Sequence, residues 1–247
     1  MEKIKFEKLT FDKDTLTIID CEKDAVEVFI PAKIENLPIM NIAENAFKNC
    51  ADLKKVIFDE IENKIEFSHF NGIGDYAFSY CSSLTEISIP YYMKWIGRGA
   101  FYGCKSLEKV SFSKGSFISS FAFAKCTNLK EISLVDNVFE GAFSYCENLA
   151  VFPLSNEVDD ISEYAFEHCN SLIEITIPKS VKNIEKLAFR SCTNLKKVNF
   201  ADVNNWYVQY RYVDEIRKID VTNPEKNAQW LSRMDFDDGV DRWFKKN

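Results

Sequence analysis

The sequence predicts an α/β repeat solenoid with a curved parallel β-sheet, an N-terminal β-hairpin and a C-terminal cap. Three observations predict it: a five-residue unit recurs seven times, a leucine follows each unit at a fixed distance, and alternating apolar residues follow each leucine. A short strand joined to a compact turn cannot bury its apolar side alone. Stacking the units gives them one continuous core, so the repeat predicts an elongated body in which each coil contacts only its neighbours.

The recurring unit is A-F-x-x-C, and its cysteines define the spacing. They are Cys50, Cys81, Cys104, Cys126, Cys146, Cys169 and Cys192, separated by 31, 23, 22, 20, 23 and 23 residues. Three residues after each cysteine stands a leucine, namely Leu53, Leu84, Leu107, Leu129, Leu149, Leu172 and Leu195. A period near 22 residues is typical of coils built from one strand and one short helix.

Each leucine starts an apolar–polar alternation, as with Ile87 and Ile89 after Leu84. This is the period of a half-buried strand. Stacked coils should then rise by about 4.8 Å, the distance between paired strands. At that rise, the phenylalanines of the units are expected to form one internal file.

The full pattern I-G-x-x-A-F-x-x-C-x-x-L-x-x-I-x-I-P occupies residues 73–90. It resembles the BspA-like class of leucine-rich repeats, and the resemblance covers about residues 26–200. The resemblance implies a right-handed solenoid. It also implies a surface protein, secreted or held at the cell surface, that binds host or partner macromolecules.

The repeat suggests three segments: an N-terminal hairpin cap over 1–23, the solenoid over 24–200 and a C-terminal capping segment over 201–247. The hairpin is expected over residues 4–20, turning at residues 12–14, and residues 26–31 imitate a first, degenerate coil. A polar-faced hairpin there would cover the exposed end of the core. Cys21 is a candidate for an eighth member of the cysteine file.

Three irregularities interrupt the pattern. Residues 59–72 lengthen one coil, either as a tolerated surface bulge or as a protruding recognition loop. Pro153 lies where a strand should run and cannot donate to its ladder, so the sheet should break at residues 152–154. In the tail, residues 222–225 are typical of a helix start, and 227–234 suit one short helix. We favour a cap over a binding module for this aromatic tail.

Bulk composition narrows the function. The net charge of −7 without a basic run argues against nucleic-acid binding. No stretch approaches the about 18 apolar residues of a membrane-spanning helix, so no membrane insertion is expected. The N-terminus does not have a signal-peptide pattern, which keeps a cytoplasmic location open beside the cell-surface one. We expect a monomer.

The sequence offers no chemistry typical of an enzyme. The cysteines have no C-x-x-C pair, and identical side chains in register point the same way. Reduced, buried thiols are therefore expected rather than disulfides or a metal site. The two histidines, His69 and His168, have no obvious partners and are expected at the surface. We predict no catalytic residues, no cofactor and no metal.

The outward face of the predicted sheet is the better candidate. Positions two after each leucine alternate in sign over Lys55, Glu86, Lys109 and Glu131, while many positions two further on carry hydroxyls. The predicted partner-binding face is Glu86, Ser88, Lys109, Ser111, Glu131, Ser133, Glu174 and Thr176. Its function would be protein or glycan recognition, as an adhesin or surface antigen; an intracellular interaction scaffold is the alternative. The charges could equally form a ladder that only neutralises itself.

Overall fold

The computed structural model describes residues 3–59, 71–210, 216–233 and 240–246. The strands are β1 (Lys3–Phe6), β2 (Leu9–Asp12), β3 (Thr17–Cys21), β4 (Glu27–Ile30), β5 (Lys33–Ile34), β6 (Leu37–Pro38), β7 (Asn41–Ile42), β8 (Lys55–Phe58), β9 (Gly72–Ile73), β10 (Glu86–Ser88), β11 (Trp95–Ile96), β12 (Lys109–Ser111), β13 (Phe117–Ile118), β14 (Glu131–Ile132), β15 (Asp160–Ile161), β16 (Glu174–Ile177), β17 (Asn183–Glu185), β18 (Lys197–Phe200), β19 (Trp206–Tyr210), β20 (Ile216–Lys218) and β21 (Val240–Lys245). The described residues include one α-helix, α1 (Pro224–Arg233). The chain winds into a β-solenoid of about eight coils with parallel sheets.

The segments after the leucines form the front sheet, five parallel strands in the order β14-β12-β10-β8-β4. The alternation decides which side chains enter the core. Val56, Ile87 and Val110 are buried, while Lys55 and Glu86 point to solvent. The predicted strands are therefore confirmed for these five coils, including the degenerate first coil, which supplies β4. The segment after Leu149 forms no strand.

A second set of parallel strands, the back sheet, contains β3, β7, β9, β11 and β13. Its buried residues lie four positions before the alanine of each unit, such as Ile42, Ile73 and Ile96. The expected short helix of each coil is absent from the described residues, so the α/β class was wrong for the coils. In the turns, alternate N–H groups bond to the next coil, and those between them bond to carbonyls three residues back, so no α-helical ladder forms. The Phe78 N–H, for example, donates to the Ala100 carbonyl at 2.7 Å.

Two residues in most of the turns have a left-handed backbone, as at Tyr76 (φ 54°) and Tyr80 (φ 60°). They let the chain reverse around the buried A-F pair. Gly99 shows why glycine is needed at one of these positions. Its φ is +57°, and a Cβ there would lie 2.5 Å from Cε1 of Tyr76. A larger residue at Gly99 would therefore have to displace that ring.

The phenylalanines form the expected internal file. Phe78, Phe101 and Phe123 are fully buried. Their rings stack with centroids 5.2 Å apart in each step and interplanar angles of 1° and 2°. The file continues on both sides through Phe47 and Phe143. In-register stacking of like residues is therefore confirmed.

The N-terminal hairpin prediction was partly wrong. The chain reverses twice, because β1 pairs antiparallel with β2 and β2 pairs antiparallel with β3. Leu16, expected in a strand, lies in the second turn with φ 53°. The third strand then pairs in parallel with β7 and so belongs to the back sheet. Its apolar residues, such as Ile18, follow the same burial pattern as the coils.

The predicted break near Pro153 is confirmed. After β14 the front sheet continues only as a single bridge between Val135 and Leu154. The Pro153 carbonyl still accepts from the Val135 N–H at 2.9 Å, although proline itself has no N–H to donate. Beyond the break, β16 and β18 form a separate two-stranded parallel sheet.

The C-terminal segment packs against the last coil. Strand β21 pairs antiparallel with β17 and with β19, and α1 contacts β18. Asn223 caps the helix, since its Oδ1 accepts from the Lys226 N–H at 2.9 Å. The predicted helix start is confirmed, although α1 begins three residues before the predicted 227. Trp206 and Trp243 are buried against the coil end.

Candidate binding site

The outward side chains of the front sheet stand in two columns. The first column carries charges, and strand pairing places Glu27 opposite Lys55, Lys55 opposite Glu86, Glu86 opposite Lys109 and Lys109 opposite Glu131. The alternation predicted for four positions thus extends to a fifth, Glu27. Lys109 and Glu131 form an ion pair at 3.0 Å with side chains 57% and 67% exposed. Ion pairs this exposed contribute only about 0–1 kcal/mol, so solvent competes for both groups.

The second column changes character along the sheet. It begins with Phe29 and Ile57, which are paired neighbours and 42% and 39% exposed. It continues with Ser88 and Ser111, where the Ser111 hydroxyl donates to Ser88 at 2.9 Å. Ser133 departs from the column, because its Oγ accepts from the Phe112 N–H at 3.0 Å and is occupied by the main chain.

A groove of about 630 Å³ runs over β8, β10 and β12. The columns supply its polar and apolar lining, and residues after β10 add two tyrosines, Tyr91 and Tyr92. Tyr91 is half-buried and Tyr92 is buried. Burial, together with the nearby Asp59 carboxylate, raises the pKa of Tyr92 to about 12, so its hydroxyl stays protonated. The groove therefore combines apolar, hydroxyl and charged groups on one rigid surface.

The structure brings most of the predicted face together. Glu86, Ser88, Lys109 and Ser111 line the groove, and Glu131 flanks it. Glu174 and Thr176 lie beyond the break on β16, with Glu174 accepting a hydrogen bond from Asn199 at 2.6 Å. They do not belong to the same sheet.

Sequence reasoning missed the apolar end of the groove and its tyrosines. At the second outward position of each strand the predicted face contains only hydroxyl-bearing residues, so it does not include Ile57. Phe29 could have been found from its position in the degenerate first coil, which corresponds to the position of Ile57 in the next coil. The tyrosines could have been found because Tyr91 and Tyr92 directly follow Pro90, at the end of a repeat strand.

The cysteine file makes hydrogen bonds that the sequence did not suggest. All eight cysteines are free and buried. The last six each donate to the phenylalanine carbonyl of the preceding coil, as from Cys104 Sγ to Phe78 O at 3.1 Å and from Cys126 Sγ to Phe101 O at 3.2 Å. Burial raises the pKa of these thiols, as for Cys192, whose pKa is about 12. Protonated, enclosed thiols are poor nucleophiles.

Cys21 and Cys50 form the N-terminal end of the file. Both thiols approach the Glu22 carbonyl, with sulfur–oxygen distances of 3.6 Å and 3.9 Å. A hydrogen bond from Cys21 lowers the pKa of Cys50, and the Lys23 ammonium, 3.9 Å from the Cys50 sulfur, adds to that effect. Cys21 is thus the eighth member of the file, although its thiol contacts differ from those of the last six.

Other reactive groups do not converge in the described part of the chain. No cluster of three or more His, Cys, Asp or Glu side chains there is arranged to hold a metal ion. His168 stacks on Tyr145 with ring centroids 4.4 Å apart. His69 and most of the long coil insertion, residues 60–70, lie outside the described residues. The helix that is described is too short and too polar to cross a membrane.

A stacked solenoid with buried A-F-x-x-C turns and an open parallel sheet defines a leucine-rich-repeat protein. The BspA-type leucine-rich-repeat family model matches six copies over residues 22–73, 40–140 and 117–227. The chain therefore belongs to the BspA-type leucine-rich-repeat family. Among curated protein sequences, none matches this chain significantly.

Several solved structures are similar to this chain, among them the following two. A leucine-rich repeat protein from Bacteroides ovatus is 30% identical, with a TM-score of 0.59, over 72% of this chain and 43% of that protein. A leucine rich cell surface protein from Faecalibacterium prausnitzii is 20% identical, with a TM-score of 0.55, over 91% of this chain and 62% of that protein. This chain thus spans less than two thirds of either protein. The second likeness shows the fold alone.

Proposed function

We propose that this chain is a non-enzymatic protein-binding module and that its partner contacts the groove on the front sheet. The observation that supports this proposal most strongly is the set of side chains that line the groove. Ile57 is exposed beside the hydroxyls of Ser88 and Ser111 and beside the charges of Glu86 and Lys109. Large exposed apolar side chains rimmed by polar ones are typical of protein-interaction sites. The family supports this function, because leucine-rich repeats are generally binding scaffolds.

The charge column supports binding more than self-neutralisation. Its members are exposed, so their mutual attraction is weak and a partner can replace it. A partner with alternating charges would then be selected by complementarity, while mismatched proteins would be rejected. Because the strands are held by the coils on either side, the groove loses little conformational freedom on binding.

The test compares two substitutions at the same position of the repeat, on two different sheets. Ser111→Trp fills the groove, whereas Thr176→Trp places the same side chain on β16, beyond the break. A partner retained from cell extract by the wild-type protein is identified by mass spectrometry and purified, and its Kd is measured by calorimetry. We expect Ser111→Trp to weaken binding by at least about tenfold. Equal affinities of the two variants would exclude the groove. Urea unfolding checks that both variants fold.

The location of the protein in the cell distinguishes two versions of this proposed binding function. We propose an adhesin or antigen at the cell surface, where the exposed face would meet host or partner proteins. The eight free thiols favour instead an intracellular scaffold, since reduced cysteines persist in reducing compartments. Fractionation of cells expressing the native gene, followed by immunodetection, distinguishes them. Protease accessibility on intact cells is expected for the surface form and absent for the scaffold.

A further inference from the structure

The solenoid has four terminal sheet edges, two at each end, and elements outside the repeat cover three of them. At the N-terminal end, β2 pairs with β3 and covers the back sheet. At the C-terminal end, β21 pairs with β17, and α1 covers β18. Asn227 of that helix donates to the Val198 carbonyl at 3.1 Å. The fourth edge is β4, which has a strand neighbour on one side only among the described residues.

The free side of β4 presents main-chain hydrogen-bonding groups. The Asp59 N–H donates to the Ile30 carbonyl at 2.9 Å, so Ile30 bonds towards β8. In a parallel pair, alternate residues bond to opposite sides of the strand. Glu27 and Phe29 therefore direct their N–H and C=O groups away from the sheet.

Within the described residues, this edge lacks the usual protection against a further strand. Proteins commonly blunt such edges with lysine, proline, bulges or a covering segment. Strand β4 has the sequence E-V-F-I, without lysine or proline. Phe29 is 42% exposed and Val26, directly before the strand, is 46% exposed. Apolar side chains thus flank unpaired main-chain groups.

The charge column indicates which strand would fit. Across the front sheet, every strand places a charge opposite one of the other sign, and Glu27 is the outermost member. The next strand in register would place a cation opposite Glu27. Two residues later it would place a side chain against Phe29, where an apolar group would continue the contact between Phe29 and Ile57.

We propose that the open edge of β4 binds an extended segment of a partner protein that adds a parallel strand to the front sheet. The segment carries lysine or arginine, followed two positions later by an apolar residue. Main-chain hydrogen bonds to Glu27 and Phe29 hold it, and the two side chains select its sequence. This site is an edge rather than a face, so it goes beyond the groove proposed above.

The probe is a fluorescein-labelled peptide with the sequence of residues 54–59, K-K-V-I-F-D, because β8 is the strand that already matches β4. Binding to the full chain is measured by fluorescence anisotropy. We expect Glu27→Lys to weaken binding by about fivefold or more, since an attraction becomes a repulsion. A peptide with glutamate instead of lysine at the second position should restore binding to Glu27→Lys. Glu174→Lys is the control, since Glu174 is an exposed glutamate at the same position of the repeat but on β16, and it should leave binding unchanged.

A second peptide tests the main-chain contacts. N-methylation of its valine and phenylalanine amides removes the donors that would face β4, and binding should fall by more than about tenfold. Equal binding of the methylated peptide, or of Glu27→Lys, would overturn the proposal. Loss of peptide binding in Ser111→Trp would also overturn it, because the peptide would then lie in the groove. Sedimentation velocity tests whether the edge pairs two copies of this chain instead. A dimer that Glu27→Lys breaks would overturn the proposal and assign the edge to a second copy of the chain.

Discussion

Phe123, in the middle of the phenylalanine file, gives the sharpest test of the fold. Its side chain is fully buried and stacks on Phe101 at 5.2 Å and on Phe143 at 5.7 Å. A buried aromatic side chain removes about 200 Å² from water, or about 5 kcal/mol at about 25 cal/mol per Å². Alanine retains part of that surface, so Phe123→Ala should lower the free energy of unfolding by about 3–5 kcal/mol.

The upper half of that range is expected because the cavity cannot collapse. The coils on both sides of Phe123 are fixed by main-chain hydrogen bonds, from the Phe123 N–H to Ala142 O at 2.9 Å and from the Phe101 N–H to Ala122 O at 2.8 Å. The neighbouring rings therefore keep their spacing when the central ring is removed. A cavity that persists adds its own cost to the lost transfer free energy.

The assay is urea unfolding followed by circular dichroism. Phe123→Leu keeps most of the volume and should cost about 1–2 kcal/mol. Tyr80→Ala removes an aromatic side chain that is 46% exposed on the outer turn, and it should cost less than about 1 kcal/mol. The m-value should stay constant, since a lower one would signal that the coils no longer unfold together. A cost below about 1 kcal/mol for Phe123→Ala, or one equal to that of Tyr80→Ala, would refute the stacked core.

Three further predictions concern single residues. Cys50 is as buried as the central cysteines, so iodoacetamide reaches it only when its coil opens locally. Because the Cys21 thiol and Lys23 lower its pKa, it should then be the first cysteine alkylated, and peptide mapping that found a central cysteine modified first would contradict this. Asn227→Ala removes two buried hydrogen bonds to main-chain carbonyls and should cost about 1–3 kcal/mol in urea unfolding, with faster hydrogen exchange in β18; unchanged exchange there would show that the helix does not protect that edge. Lys245 and a main-chain N–H lower the pKa of Asp202 to about 2, so this carboxylate stabilises the fold fully above about pH 4 and loses that effect as the pH falls towards 2. Asp202→Asn should flatten this part of the urea midpoint against pH, and an unchanged profile would assign the acid sensitivity to other groups.

Structural features that depend on a single coil, or on the contact between equivalent residues of neighbouring coils, were predictable from the sequence. The A-F-x-x-C unit gave the buried file, and the alternation after each leucine gave the outward charges of Lys55, Glu86 and Lys109. Pro153 gave the position of the sheet break. In each case the residue affects its own backbone or contacts the equivalent residue of the neighbouring coil. The repeat spacing in the sequence identifies that equivalent residue.

Features that depend on competing partners were not predictable. The turns form no α-helix, because alternate N–H groups bond to the next coil while those between them bond three residues back within the turn, and only the stacked structure supplies the carbonyls of the next coil. Ser133 has the same place in the repeat as Ser88, yet its hydroxyl bonds to the Phe112 N–H where the sheet ends. The apolar end of the groove was missed because Phe29 and Ile57 meet only after two coils pair.

The sequence by itself determined the repeat, its period, the residues of the core and the face that each strand turns to solvent. These follow from local alternation and from copies of one pattern stacking in register. Tertiary structure alone decided which sheet edges are covered and which remain open. In the described part of the chain, α1 covers β18 and no segment covers β4. This difference depends on where segments outside the repeat fold back, and no periodic signal encodes that contact.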